Sequence, residues 1–123
     1  MTQSVPIIID LTYFYSLTDG DKSFEKILLK CSVEEVDTKI EGLRSSFALN
    51  NSSDIRAHAH SLISLSAIVG ISQIEEWSRK IAEKMIDGIV TPEFEILITS
   101  ILSVWPNAKN EIIKTFKSAP VNP

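Results

Sequence analysis

Several features that would place this 123-residue chain in a special class of protein are missing from its sequence. It has one cysteine, Cys31, so no internal disulfide can form, which fits a reducing compartment. No apolar run approaches the roughly 20 residues that a membrane-spanning helix needs, and the N-terminus lacks the basic region and apolar run of a signal peptide. The net charge of −4 argues against nucleic-acid binding, which needs a basic patch. We therefore expect a cytoplasmic protein that binds neither membrane nor nucleic acid.

Glycine and proline are also few, at four and five residues, whereas strong helix formers fill the long segments. Hydrophobic residues make up 44% of the chain, which is enough at this length for one real core. These totals predict a single all-α domain over residues 1–123, with its core at about 9–117 and tails at 1–6 and 118–123.

Five segments carry apolar residues at the three- and four-residue spacing of an amphipathic helix. They are a short helix at about 10–17, a long segment with apolar positions from Phe24 to Phe47, a third at 54–70, a fourth from Ser72 to Gly88, and a fifth from Thr91 to Phe116. Trp77 and Trp105 fall on these stripes and are expected in the core. Four long amphipathic segments with short connections predict an antiparallel up-down four-helix bundle, and the short extra N-terminal helix would cover one end.

Two irregularities are predicted within the long segments. In the second segment the apolar stripe reaches Cys31 and resumes at Val36, and this five-residue step predicts a bend or a break near Ser32. In the fifth segment, Pro106 removes a backbone hydrogen bond and predicts a kink or a brief break. The apolar stripe keeps its phase across Pro106, which favours a kink. Because Cys31 lies on the apolar stripe, we expect it to be an inert core thiol.

Polar residues near the segment starts predict helix caps. In chain order the candidates are Asp10, Thr18 or Asp19, Ser53 or Asp54, Ser72, and Thr91. Gly70 is expected to end the third helix because glycine tolerates the left-handed conformation found there.

The third segment is the one that carries candidate chemistry. Its buried stripe is predicted to be Ile55, Ala59, Leu62, Ser66 and Val69. His60 follows Ala59 and lies about 100° around the helix from it, so we expect its side chain near the solvent. A histidine held there can act as a nucleophile or proton carrier, because histidine titrates near neutrality.

This segment resembles the phosphoacceptor helix of the histidine-containing phosphotransfer (HPt) family. That helix carries a histidine, a leucine two residues on, a lysine three on, a glycine four on, a pair of small residues, and a second glycine ten on. The matching positions here are Ala59, His60, Leu62, Ser66, Ala67 and Gly70. The lysine position holds Ile63, the first glycine position holds Ser64, and Leu65 replaces one small residue. The family's fold is a four-helix bundle with a short extra N-terminal helix, so the resemblance covers roughly residues 9–116.

The resemblance implies a phosphoryl carrier in a multistep two-component phosphorelay, with His60 as the acceptor. It implies receiver domains of response regulators or hybrid histidine kinases as partners, and a monomeric form. It also implies no cofactor of its own and no ATP-dependent kinase activity, because the receiver domain supplies the Mg²⁺ and most of the catalytic groups.

The neighbours of His60 would form the environment of the phosphoryl group. Arg56, four residues earlier on the same face, could replace part of the missing lysine charge. The hydroxyl of Ser64 could bond a phosphoryl oxygen. An apolar residue beside a surface histidine suggests a contact patch, so Ile63 and Ala67 are expected to touch the partner.

Other residues are weaker candidates. His58 points to a different side of the helix, and its spacing from His60 suits shared metal ligation badly, so no metal site is expected. Arg79 or Glu83 on the next helix could reach the imidazole. Many family members place a polar partner for the ring at a position that aligns with Ala82.

An alternative from a different class is a phosphorylation-incompetent, HPt-like bundle that acts as a protein-binding or adaptor module. The missing lysine and glycine support it. In that case Ile63 and Leu65 belong to a protein-protein surface and His60 is incidental. A solvent-exposed His60 within an apolar rim and near a cation would favour the carrier.

Overall fold

The computed structural model describes residues 8–85 and 89–117, and within these residues the chain is all-helical. The helices are α1 (Thr12–Thr18), α2 (Lys22–Ala48), α3 (Ser52–Ile68), α4 (Ser72–Lys84) and α5 (Pro92–Lys117). Helix α2 packs on α3, α3 on α4 and α4 on α5, and α2 also packs on α5. Helix α1 packs on α2 and α3. This arrangement confirms the predicted four-helix bundle with a short extra N-terminal helix. The predicted tails at 1–6 and 118–123, and the predicted helix end at Gly88, lie outside the described residues.

One apolar cluster fills the interior and draws on all five helices. Helix α5 contributes the predicted stripe, and its fully or nearly buried members are Phe94, Ile98, Ile101, Trp105, Ala108 and Ile112. The helix continues across Pro106, as the unbroken phase of that stripe predicts. Trp77 of α4 is only half-buried, so the expectation that both tryptophans are core residues holds for Trp105 alone.

Helix α2 corrects the prediction most clearly, because it runs without a break through Ser32. Its buried positions are Glu25, Leu29, Ser32, Val33, Val36, Ile40, Leu43 and Ser46, which keep helical spacing throughout. Polar side chains occupy some of these core positions, so the apolar residues alone predict the neighbouring stripe that contains Phe24, Ile27 and Cys31. In the first half of α2 that stripe faces outwards, with Phe24 41% exposed and Ile27 61% exposed. Cys31 lies beside them and is exposed, so it is not a core thiol. In the second half of α2 the predicted positions Val36, Ile40 and Leu43 are buried.

A carboxylate connects α2 to α5. The indole Nε1 of Trp105 donates to Oδ1 of Asp37 at 2.8 Å, and Nζ of Lys109 donates to Oδ2 of the same carboxylate at 2.7 Å. The indole N–H of a nearly buried tryptophan needs an acceptor, and Asp37 supplies it.

The corner between α2 and α3 takes only residues 49–51. Asn50 adopts the left-handed conformation with φ of 56°, and the backbone N–H of Asn51 donates to the carbonyl of Ser46 at 2.9 Å, which closes the end of α2. The side chain of Asn51 then accepts a hydrogen bond from the backbone N–H of Asp54 at 3.2 Å. Asn51 is therefore the N-cap of α3, and the prediction of Ser53 or Asp54 was wrong by two or three residues.

The corner between α3 and α4 is built on Gly70, as predicted. Its φ is 79°, and the N–H of Ile71 donates to the carbonyl of Ser66 at 3.0 Å, which is the Schellman pattern. The carbonyl of Gly70 accepts from the backbone N–H of Asp10 at 3.0 Å, so the segment before α1 is fixed against this corner. Ser72 is the first residue of α4 and Ile71 holds the cap position without a side-chain bond, so the cap predicted at Ser72 is wrong.

The remaining predicted caps have mixed outcomes. Asp21 caps α2 by accepting from the N–H of Phe24 at 3.0 Å, instead of Thr18 or Asp19. Thr91 caps α5 as predicted, at 3.4 Å from the N–H of Phe94. At α1 the carboxylate of Asp10 accepts from the backbone N–H of Thr12, but Leu11 holds the N-cap position itself.

Candidate functional site

Helix α3 turns one face inwards and presents His60 on the other. The predicted stripe Ile55, Ala59, Leu62, Ser66 and Val69 is fully or almost fully buried. His60 is exposed, as its position off this stripe predicts. It makes no hydrogen bond or ion pair with any residue that the structure describes. Its imidazole nitrogens are therefore open to a reaction partner.

The stretch of chain that carries His60 is nearly uncharged. Residues 57–74 contain no aspartate, glutamate, lysine or arginine, so most of α3 and the whole α3–α4 corner lack formal charge. The nearest cation along the helix is Arg56, one turn before His60. Its Nε donates to the backbone carbonyl of Ala82 at 3.1 Å and so holds the guanidinium between α3 and α4. This carbonyl is one of the last in α4, where the helix dipole favours a positive charge.

Ile63 is half-buried, so part of its side chain packs against the edge of the core and part stays on the surface. Ser64 is exposed, and its hydroxyl lies 3.5 Å from the carbonyl of Ser61. Ala67 is half-buried, two turns beyond His60 on the same side of α3. These three residues therefore line one side of the helix together with His60.

The predicted contacts from α4 to the imidazole are not made. Arg79 pairs with Glu75 at 3.2 Å and lies 4.0 Å from Glu83, so these charges neutralise each other along α4. Ala82 is buried, and its contribution to the site is the backbone carbonyl that holds Arg56. Among the described residues, no group of three or more histidine, cysteine, aspartate or glutamate side chains could hold a metal ion.

His58 has a structural position that the sequence did not reveal. Its half-buried imidazole lies against Gly42 of α2, where a Cβ would come within 2.5 to 2.8 Å of three ring atoms. Gly42 thus opens the space for this ring between α2 and α3. A glycine in the middle of a long helix is the only sequence signal for such a contact, and it does not say which residue fills the space.

The comparisons with known proteins bear on the fold. Neither a protein-family model nor a curated protein sequence matches the chain. Histidine-containing phosphotransfer protein B (HptB) from Pseudomonas aeruginosa PAO1 is similar in structure, with a TM-score of 0.77 over 95% of this chain and 100% of that chain, at 16% identity. The HPT domain of the Hpt sensor hybrid histidine kinase from Shewanella gives a TM-score of 0.75 over 92% of this chain and 97% of that chain, at 11% identity. The chain therefore has the fold of HPt domains, as its sequence predicted.

The part of the chain that the structure describes contains no helix that is both long and apolar enough to cross a membrane.

Proposed function

We propose that this chain is a histidine phosphotransfer protein that carries a phosphoryl group on His60 between receiver-domain aspartates in a multistep two-component phosphorelay. The main support is the combination of an HPt fold with a histidine that is exposed, off the core stripe and free of internal partners. Helix α3 is closed by hydrogen bonds at both ends, so the imidazole stands on a rigid support.

The chemistry needs little from this chain. The lone pair of one imidazole nitrogen attacks the phosphorus of a phosphoaspartate, the P–N bond forms, and the P–O bond to the carboxylate breaks. The aspartate leaves as a carboxylate with the bonding electrons, and the reverse step returns the group to a second receiver domain. Mg²⁺ belongs to the receiver domain, where it neutralises the phosphoryl charge. The chain would have no cofactor of its own and no ATP-dependent kinase activity.

Arg56 and Ser64 would stabilise the phosphoryl group. The family's lysine position holds Ile63, so Arg56 is the nearest source of positive charge on α3. A charge pair at about 4 Å contributes about 1 kcal/mol in water and up to ~4 kcal/mol near a protein surface. The exposed hydroxyl of Ser64 adds a donor one turn after His60.

The partner would be the receiver domain of a response regulator or of a hybrid histidine kinase, working in the cytoplasm with a monomeric carrier. Its surface would cover His60 and touch Ile63 and Ala67. The uncharged segment 57–74 around the reacting group favours close apolar contact, which excludes water from the transfer.

The test is chemical phosphorylation without a partner. The protein is incubated with phosphoramidate, a small-molecule donor to histidine, and its intact mass is compared with those of His60→Ala and His58→Ala. We expect one acid-labile phosphoryl adduct on the wild type and on His58→Ala, and none on His60→Ala. His58→Ala is the matched control, because it removes an imidazole two residues away. An adduct that persists in His60→Ala would contradict the proposal.

A second candidate is the phosphorylation-incompetent adaptor module. Its specific support is the apolar outer face of α2, where Phe24 and Ile27 are exposed one turn apart, and the absence of the family's lysine at position 63. Exposed apolar patches often mark protein-protein contacts. For this candidate, neither phosphoramidate nor a phosphorylated receiver domain would load His60, and Ile27→Glu would abolish partner binding while His60→Ala would not.

A further inference from the structure

A surface cavity of about 380 Å³ lies at the far end of the helix face that carries His60. Its lining residues are Asp10, Tyr13, Ala67, Gly70, Ile71, Ser72 and Glu75. Ala67 connects it to the candidate site, because seven residues of α-helix return to the same face about 10 Å along the axis. The cavity exists because the segment at Asp10 is held against Gly70 while the side chain of Tyr13 projects outwards.

The lining is apolar in its floor and acidic at its rim. Ala67 is half-buried and Tyr13 is 51% exposed, so the cavity offers a small apolar surface and an aromatic side chain above the fully buried Ile71. Asp10 and Glu75 are the charged residues among the lining, and both are acidic. The hydroxyl of Thr12 donates a hydrogen bond to the carboxylate of Asp10, and so does its backbone N–H. The two bonds, with the hydroxyl contributing more, hold the pKa of Asp10 below its usual value.

The neighbouring charges compensate one of the two acids and leave the other unpaired. Glu75 is paired with Arg79 at 3.2 Å, and Arg79 is outside the lining. Asp10 has no ion pair among the described residues, so its charge is uncompensated. A single long cationic side chain would therefore find an acceptor at the rim and apolar contacts below it.

We propose that this cavity receives a lysine or arginine side chain of the receiver domain that docks on His60. The inference rests on the proposed function, because the partner must cover His60. A standard interface covers about 800 Å² on each partner, which corresponds to a disc of about 16 Å radius. A cavity about 10 Å from His60 falls inside that footprint. The methylene groups of the cation would pack on Ala67, its charge would meet Asp10 beside the already paired Glu75, and the ring of Tyr13 would add a cation–π contact.

The test measures phosphotransfer between the full chain and a panel of isolated receiver domains that have been charged with acetyl phosphate. The test variant is Asp10→Asn combined with Glu75→Gln, which removes both charges and keeps side-chain size. Asparagine at position 10 also keeps an acceptor for the N–H of Thr12. The control is Glu76→Gln, which removes an acidic charge of the same helix outside the cavity.

We expect the double variant to raise KM for the best receiver domain roughly threefold to tenfold, the range for two partly exposed ion pairs, with the change in KM rather than kcat. Replacing the docking lysine or arginine of the receiver with methionine should give the same rise, and no further rise when combined with the double variant. A KM that is unchanged, or that rises equally in Glu76→Gln, would overturn the inference. Loading of the wild type by phosphoramidate, which needs no receiver domain, tests the proposed function separately.

Discussion

The contact between Gly42 and His58 allows a prediction whose sign depends on a second residue. Replacing Gly42 with alanine adds one methyl group in the middle of α2. In an open helical position this change stabilises a protein by about 1 kcal/mol, because glycine loses more backbone entropy on folding. At Gly42 the new Cβ would lie 2.5 to 2.8 Å from three atoms of the His58 ring, closer than real Cβ atoms approach their neighbours.

The His58 ring must therefore move, and the free energy of that movement decides whether Gly42→Ala stabilises or destabilises the protein. Overpacking of a well-filled site costs about 1 to 3 kcal/mol. His58 is half-buried and can rotate towards solvent, so we place the cost near the middle of that range. Subtracting the gain in helix propensity gives a net loss of about 1 kcal/mol for Gly42→Ala. In a His58→Ala background the ring is gone, and the same substitution should stabilise the protein by about 1 kcal/mol.

The measurement is a double-mutant cycle by urea unfolding followed with circular dichroism. The expected coupling energy between the two positions is about 2 kcal/mol. Ser45→Ala is the matched control, because it lies on the exposed side of α2 three residues further on and its effect should not depend on His58. Equal stabilisation by Gly42→Ala in both backgrounds would refute the reasoning, since it would mean that the ring does not occupy the space beside Gly42.

Three further predictions concern single charged groups. Arg56→Gln should slow loading of the phosphoacceptor by roughly fivefold, the effect of losing a surface charge pair of about 1 kcal/mol, whereas Arg79→Gln should not slow it. Phosphoramidate kinetics followed by intact mass compare the two variants, and equal rates in both would exclude a special role for Arg56. Asp37→Ala should lower the free energy of unfolding by about 1 to 3 kcal/mol, because it leaves the nearly buried indole N–H of Trp105 unpaired. Asp37→Asn keeps an acceptor and should lower it less. Urea unfolding gives both values, and an equal loss in both variants would show that the charge of the carboxylate, not the hydrogen bond, stabilises the protein. Hydrogen bonds from Thr12 lower the pKa of Asp10 in the folded state. The contribution of Asp10 to stability is therefore present above its unfolded pKa of 3.8 and is lost as the pH falls through the lower folded pKa. A carboxyl NMR titration of the folded protein with a midpoint at or above 3.8 would disprove the shift.

The fold could be predicted from sequence because apolar periodicity locates the helices, even where the capping residue was predicted wrongly. Helix α5 has a cap at Thr91, a proline in its first turn and an apolar stripe that keeps its phase. In helix α2 apolar periodicity does not identify every buried position, because Glu25 and Ser32 are buried and the apparent apolar stripe is shifted. Aliphatic parts of polar side chains can pack in a core, and hydrophobicity alone does not identify them.

The candidate site could be predicted in part for a related reason. The exposure of His60 follows from one helix alone, because the buried stripe of α3 defines its outer face. The bond from Arg56 to the Ala82 carbonyl and the contact of His58 with Gly42 depend on how far two helices are shifted along their axes. The cavity at Tyr13 depends in addition on a loop that meets the α3–α4 corner. Sequence periodicity contains no information about such shifts.

The two three-residue corners that flank α3 have a consequence for how the protein folds. The pairs that α3 forms with α2 and with α4 are hairpins between segments adjacent in sequence, so their contacts close with little loss of chain entropy. Topologies rich in such local contacts fold fast. We expect α3 to be among the first helices to become stable and its amide protons to be among the slowest to exchange with solvent. The histidine would then stand on the part of the molecule that opens least often, and a partner would meet the same surface at every encounter.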